Sequence, residues 1–395
     1  MLMSEVHGNR LSLLGFGAMR LPVREDGTID QVQVKAMVDY AMENGVNYFD
    51  TAYPYHGGHS ELSLREVLKE YPRESYFLAD KYPGHQIASS YDPAGVFEDQ
   101  LKKCGVDYFD YYLLHNVCEN SLDVYLDEKW GIIPYFLEQR RQGRIRRLGF
   151  SSHGSLAMLE GFLEKYGNQM EFCQLQLNYV DWTLQDGKEK CALMAKYGIP
   201  VWVMEPVRGG KLANLPEEAA AELKALRPEE SQAAWAFRFL QDVPEVKMIL
   251  SGMSSFEQMK DNVKTFREAK PLLEEEKQLL FRIAEDMKKS VPCTACRYCV
   301  EGCPMGLDIP GLIKAANDFA YHPSANVSMM MDALPEDKRP SACIGCGACT
   351  GICPQKIDVP GVLSHFAEHM TQYPSWAEIC RQREEAQKAL MAKKE

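Results

Sequence analysis

Apolar residues along the chain fall into short runs at 11–15, 46–50, 75–80, 109–114, 146–151, 171–177, 200–204 and 246–251. Between them the apolar positions recur every three to four residues, the period of a helix with one buried face. In the stretch 31–44, Val34, Met37, Val38, Ala41 and Met42 share a face, and Gly45 follows as a stop. The stretches 60–69, 93–104, 156–166, 188–197 and 255–268 behave the same way. Eight strand–helix alternations over about 270 residues predict an α/β fold, a (β/α)8 TIM barrel. A doubly wound open sheet would carry a G-x-G-x-x-G turn after its first strand. Gly15-Phe16-Gly17 is followed by neither the third glycine nor a helix, so the barrel is preferred.

The pattern changes after residue 270. The stretch 271–290, with Leu272, Leu279, Leu280, Ile283 and Met287, reads as an amphipathic connecting helix. Beyond it, cysteines dominate. Cys293, Cys296, Cys299 and Cys303 precede Pro304; Cys343, Cys346, Cys349 and Cys353 precede Pro354. Both runs read C-x2-C-x2-C-x3-C-P, the spacing of a two-cluster [4Fe–4S] protein, in which the fourth cysteine of each run ligates the other cluster. One cluster then takes Cys293, Cys296, Cys299 and Cys353, and the other takes Cys343, Cys346, Cys349 and Cys303. Zinc sites use cysteines in sets of four and leave the third x2-spaced cysteine and the repeat of the whole pattern unexplained. Gly345, Gly347 and Gly351 leave room for backbone to wrap a cluster. The insert 304–342 is longer than in a compact ferredoxin, and helical patterns at 309–319 and 328–334 predict a helix-rich, ferredoxin-like module. The expected division is a barrel at 1–270, a connecting helix at 271–292, the cluster module at 293–365 and a charged helical tail at 366–395.

Composition narrows the partners. Among 395 residues, 46% are hydrophobic, and the net charge is −12, which disfavours phosphate backbones and hence nucleic acid. No apolar run approaches the length of a membrane span, and residues 1–10 lack an apolar signal core, so a cytoplasmic protein is expected. Of 13 cysteines, Cys104, Cys118, Cys173, Cys191 and Cys380 lie outside the runs and read as small buried hydrophobes.

In a barrel of this type, chemistry sits at the C-terminal ends of the strands. Those positions hold Asp50 with Tyr55 beyond it, Lys81, His115, Ser151 with Ser152, Gln174 with Asn178, and Glu205 with Arg208. Each taken singly has a bland reading, a solvated charge or a hydrogen-bonded histidine. Their coincidence at adjacent strand ends is what points to a site.

These residues, in Phe49-Asp50-Thr51-Ala52-x-x-Tyr55 with Ser60-Glu61, Asp80-Lys81, Leu113-Leu114-His115, Leu148-Gly149-Phe150-Ser151 and Gln174-x-x-x-Asn178, resemble the aldo-keto reductase family over about residues 10–270. A bacterial subset of that family, fused to a two-cluster module, looks most similar. The resemblance implies a barrel that moves hydride between a nicotinamide and a carbonyl at an Asp–Tyr–Lys–His tetrad. Tyr55 would be the general acid, with its pKa lowered by Lys81; Asp50 would aim Lys81; His115 would orient the carbonyl. It further implies that Gly17, Met19, Arg20, Ser151, Ser152, Gln174, Met204, Glu205, Arg208 and Asn262 meet the cofactor. The pattern is departed from in three respects. Met204 stands where an aromatic often stacks on nicotinamide. Gly252 and Gln258 replace basic residues that grip the NADP 2′-phosphate, with Arg267 out of register. His153 has no assigned role.

The expected function is therefore carbonyl/alcohol interconversion, with NAD(P)H as hydride donor and the clusters serving electron transfer or structure. An alternative is a cluster-fed reductase that uses flavin or no nicotinamide, since barrels bind flavin phosphates without a strong sequence signature. A non-catalytic scaffold is the minor alternative. A small carbonyl or sugar substrate and an electron-transfer protein are the partners these readings imply, and an oligomer is compatible with them.

Overall fold

The computed structural model describes residues 1–392 apart from 87, 120, 288–290, 292, 294–297, 322 and 354–356. The chain opens with an antiparallel hairpin, β1 (Met3–Val6) and β2 (Asn9–Ser12), turned by His7 and Gly8 in left-handed conformations (φ 52° and 79°). Two consecutive positive φ angles are what a two-residue hairpin turn demands. Eight strands follow: β3 (Leu14–Gly17), β4 (Tyr48–Asp50), β5 (Phe77–Tyr82), β6 (Phe109–Leu114), β7 (Ile145–Ser152), β8 (Cys173–Gln176), β9 (Val201–Met204) and β10 (Val246–Gly252). All are parallel, and β10 pairs with β3 to close the barrel. The expected TIM barrel is thus the observed one.

The predicted run at 11–15 is two strands. Ser12 ends the hairpin and Leu14 begins the barrel, with the Ser12 hydroxyl donating to the Leu14 carbonyl across the corner (2.7 Å). Asn47, just before β4, fixes the corner, its Oδ1 accepting from the Ser12 amide (2.8 Å). An apolar run records burial and carries no mark of a change in direction.

The hairpin stoppers the barrel floor. Val6 and Leu11 share a buried cluster with Tyr48, Tyr111, Phe172, Trp202 and Met248, and Asn9 donates to the Tyr111 hydroxyl (3.0 Å). Large aromatics fill the interior, and the opposite, C-terminal end is left to polar residues.

Two compact units make up the chain. The first comprises Met1–Gln278 together with the segment that begins at Arg383; the second is Leu279–Gln382. In the second, helices Ile309–Tyr321 and Val359–Met370 pack around Leu307, Leu312, Phe319, Leu363 and Phe366. The helix-rich character expected there is observed. The linear division at 270, 292 and 365 is not: the connecting helix is Glu274–Met287, and the last helix, Trp376–Ala392, starts in the second unit and finishes in the first. Among the described residues no helix is long and apolar enough to cross a membrane.

Candidate functional sites

The polar end of the barrel collects the four predicted residues. Lys81 is fully buried within β5, one residue before its end, so its long side chain runs along the barrel interior. Its Nζ donates to Asp50 Oδ1 (2.5 Å) and to the Thr51 carbonyl (2.7 Å), both at the end of β4. Gln100 of helix Pro93–Cys104 steadies the strand by donating to the Lys81 carbonyl (3.1 Å). The ammonium lies 4.9 Å from the centre of the Tyr55 ring, and His115, just past β6, meets that ring edge-on at 5.9 Å between centroids. The structure thus brings Asp50, Tyr55, Lys81 and His115 together.

Burial decides the electrostatics here. It opposes the charge on Lys81, but Asp50 and then Tyr55 outweigh it and hold the ammonium above its usual pKa. Burial pushes the Asp50 carboxyl up, with Lys81 working against it. The Tyr55 phenol is also raised by burial; Lys81 pulls it down without winning. The expectation of a lowered Tyr55 pKa is therefore not met in net, because desolvation exceeds the attraction of one ammonium already shared with Asp50. His115 is held well below the usual imidazole range by burial, then by His85, Lys81 and Arg383. It is neutral at pH 7 and keeps one N–H to donate.

Two neighbours of this site went unread in the sequence. His85, in the loop after β5, packs against His115 with ring centroids 4.2 Å apart and the rings tilted by 57°, and burial drives its pKa down to about 3. Arg383 comes from the far end of the chain, and its charge acts on Tyr55, His85 and His115 alike. Neither lies at a strand end, which is where a barrel's periodicity directs attention. Behind Lys81, Asp80 shares a buried cluster with Glu61 and Cys104, and the Lys103 ammonium sits 3.3 Å from Glu61. Burial raises Asp80 to about 7. The matched Ser60 is a clasp: its hydroxyl bonds Thr51 (2.9 Å) and donates to the Ala18 carbonyl (3.1 Å).

The residues expected at a cofactor differ in how far the fold already engages them. Gln174, at β8, is buried, and its Oε1 has no hydrogen-bond partner among the described residues. An orphaned buried acceptor fits a primary amide such as a carboxamide. Ser151 and Ser152 hold loops: Ser151 Oγ accepts from the Asn116 amide (2.8 Å), and Ser152 Oγ donates to the Val117 carbonyl (2.7 Å). Asn178 is spent in the same way, donating to Asp181 and to the Glu205 carbonyl. Asn262 donates to Ser251 Oγ (2.9 Å). Met204 ends β9 half-buried, and Glu205 follows with φ 56°, its carboxyl raised by burial. Arg208, expected near phosphate, is buried with its Nε donating to Asp181 (3.1 Å). Arg20 is exposed at this rim, beside exposed Met19. Gly17 and Gly252 are paired strand ends; a β-carbon on Gly252 would stand 2.9 Å from Arg20 Cγ, so the glycine gives the arginine its path. Gln258 accepts from the Ser254 amide (2.8 Å) and Arg267 donates to Asn44 (3.1 Å), each engaged locally. His153, whose backbone amide donates to Asn116 Oδ1 (3.0 Å), has a pKa depressed to about 4 by burial.

In the second unit, a small apolar pocket is lined by Cys303, Cys343, Cys346 and Cys349, with Ile344, Leu363 and others around it. The fourth cysteine of the first run therefore stands with the first three of the second. Gly345 and Gly347 are left-handed (φ 68° and 74°) with open space where a β-carbon would stand, so the loop wraps the cavity as only glycine allows. Cys293, Cys299 and Cys353 pack against the core of the same unit. Cys296 lies outside the described residues. The five scattered cysteines are buried, as expected of small apolar side chains.

Residues 13–285 match the model of the aldo/keto reductase family, and residues 292–357 that of the 4Fe-4S dicluster domain. The chain is 23% identical over 312 residues to the uncharacterized oxidoreductase YqkF of Bacillus subtilis (strain 168), covering 71% of this chain and 95% of YqkF. It is 24% identical over 262 residues to the NADH-specific methylglyoxal reductase of Escherichia coli (strain K12), covering 55% and 78% respectively. Among solved structures, the holo form of aldo-keto reductase AKR11C1 from Bacillus halodurans superposes with a TM-score of 0.58 at 27% identity, covering 71% of this chain and 95% of that one.

Proposed function

Because this chain belongs to the aldo/keto reductase family and carries a C-terminal 4Fe-4S dicluster domain, we propose that it is a nicotinamide-dependent carbonyl reductase whose proton donor is Tyr55. The observation that carries this reading is the buried Asp50–Lys81 pair set under the Tyr55 ring, with neutral His115 facing it. A bound nicotinamide would supply the hydride, held at Gln174 by its unpaired acceptor, with Ser151 beside it.

The residues themselves handle the proton and the substrate. His115 donates an N–H to the carbonyl oxygen and so fixes its position next to the phenol. As charge develops on that oxygen, Tyr55 gives up its proton. Lys81 favours the phenolate that is left, and Asp50 keeps Lys81 charged and in place. Burial, which raises the resting phenol's pKa, keeps Tyr55 protonated until the oxygen becomes basic.

The two clusters would take Cys293, Cys296, Cys299 and Cys353, and Cys303, Cys343, Cys346 and Cys349. The second set is supported by the cavity those four line. Cys346 and neighbouring Ile344 are exposed, which suits exchange of single electrons with a soluble protein partner.

The test is anaerobic turnover of methylglyoxal with NADH or NADPH. Loss of a general acid costs roughly 10² to 10⁴ in rate, so Tyr55→Phe should lose at least about a hundredfold in kcat. Retention of more than a tenth of the activity would show that Tyr55 is not the proton donor.

A further inference from the structure

Tyr55 opens a short turn, Tyr55–Gly58, set between β4 and helix Ser60–Leu68. The next three residues are left-handed in succession: His56 (φ 52°), Gly57 (φ 62°) and Gly58 (φ 86°). Glycine takes this conformation freely. Histidine does not, because its β-carbon crowds the backbone there. A side chain held at that cost directly beside a proton donor calls for a use that glycine could not serve.

The imidazole ring supplies one. Its Nε2 accepts from the Leu21 amide (3.1 Å). Leu21 is buried and closes the turn Ala18–Arg20 that follows β3, so this bond satisfies a buried N–H. The ring is half-buried. Burial lowers its pKa, as do His59 and Arg20, against the Met19 carbonyl, so it is neutral at pH 7 and has a lone pair to offer.

The same loop is held a second time, on the far side of the turn. Ser60 donates to the Ala18 carbonyl and bonds Thr51, whose own carbonyl accepts from Lys81. Hydrogen bonds therefore link Lys81 through Thr51 and Ser60 to the Ala18–Leu21 segment, and from Leu21 back to His56, the residue after Tyr55. Strands β3 and β4 are barrel neighbours, and the loops beyond their C-terminal ends frame the chemistry of such a barrel. Here the two loops are stitched together around the proton donor.

We propose that His56 is a positioning residue for Tyr55: by accepting from Leu21 it ties the turn to the loop after β3 and keeps the phenol beside the Lys81 ammonium. This rests on the reading of Tyr55 as the proton donor. Glycine at position 56 would relax the backbone and let the turn swing, whereas histidine accepts local strain and holds it still.

The experiment compares variants of the full chain with its clusters, under anaerobic conditions. His56→Gly frees the backbone and removes the acceptor. His56→Asn tolerates the left-handed backbone but falls short of Leu21. His56→Gln keeps an acceptor that reaches as far as Nε2. Hydrogen–deuterium exchange, read by mass spectrometry on the peptide holding Leu21, should be about tenfold faster in the glycine and asparagine variants and near wild type in the glutamine one. With methylglyoxal and NADH or NADPH, kcat should fall about tenfold or more in the first two while KM stays within about twofold, because a misplaced acid weakens the transition state and not substrate binding. Glutamine should recover most of that loss. Thermal melts identify a glycine variant that has simply lost its fold, and the asparagine variant then carries the comparison. Unchanged exchange at Leu21, a kcat that survives loss of the tie, or a loss that glutamine leaves unrepaired would each overturn the proposal. Tyr55→Phe tells the two failures apart. An enzyme that needs Tyr55 but not His56 loses this proposal alone; one that needs neither, or a wild type inert toward methylglyoxal, loses the proton donor as well.

Discussion

Neutral histidines crowd the site, and His85 gives them a measurable consequence. Its pKa of about 3 in the fold against about 6.5 in an unfolded chain means that between those values only the unfolded state holds the proton. Stability contributed by this residue is therefore complete above pH 6.5 and is lost as pH falls toward 3. Moving from pH 7 to pH 5 should cost wild type about 2 kcal/mol through His85 alone, a loss that His85→Asn escapes. Urea unfolding of the two proteins at both pH values reads the difference, in which the opposite response of Asp80, raised by burial, cancels. An unchanged gap would mean that His85 is charged in the fold. Asp50, Lys81 and His115 were legible as residues because each sits at the end of a strand whose apolar run announces it, and Tyr55 because the resemblance carries it at a fixed distance from Asp50. His85 and Arg383 were not, since a loop position and a distant helix carry no period that points to a pocket. Arg208 was only half legible for a related reason: sequence shows its charge but not Asp181, which takes its Nε.

The strands that frame the site have little slack. Gly149 sits mid-strand in β7, and a β-carbon there would lie 2.4 Å from the Phe172 carbonyl oxygen and 2.6 Å from its ring. Backbone cannot step aside cheaply, so Gly149→Ala should lose about 1–3 kcal/mol, read as a lowered melting temperature. Retention of wild-type stability would show that β7 and β8 can separate locally. All eight barrel strands were legible from short apolar runs, and most of the helices from the spacing of buried positions. What the pattern lost was the corner at Ser12, because two strands in sequence, each buried, read as one run.

At the scale of the molecule, the crossed pairing of the cysteine runs is open to a direct check. If Cys303 joins Cys343, Cys346 and Cys349, then Cys303→Ser and Cys346→Ser should remove the same cluster. Each should lower iron per chain by about half, and the two should leave the same residual paramagnetic spectrum after reduction. A Cys303→Ser protein that instead matched Cys299→Ser would show that each run keeps its own cluster. The runs themselves were plain in the sequence, since ligand spacing is a local property. The return of the chain to its barrel was not, because a charged helix at 376–392 looks the same whether it is solvated or seated.

That return also sets an order of events during synthesis. The ribosome releases all eight strands and the whole tetrad before the cysteine runs, and Arg383 only after them. A nascent chain stalled in the cysteine runs, or clipped there by a protease, would hold every barrel strand and the whole tetrad yet lack the helix end that lies against Gly57 and Gly58, beside Tyr55.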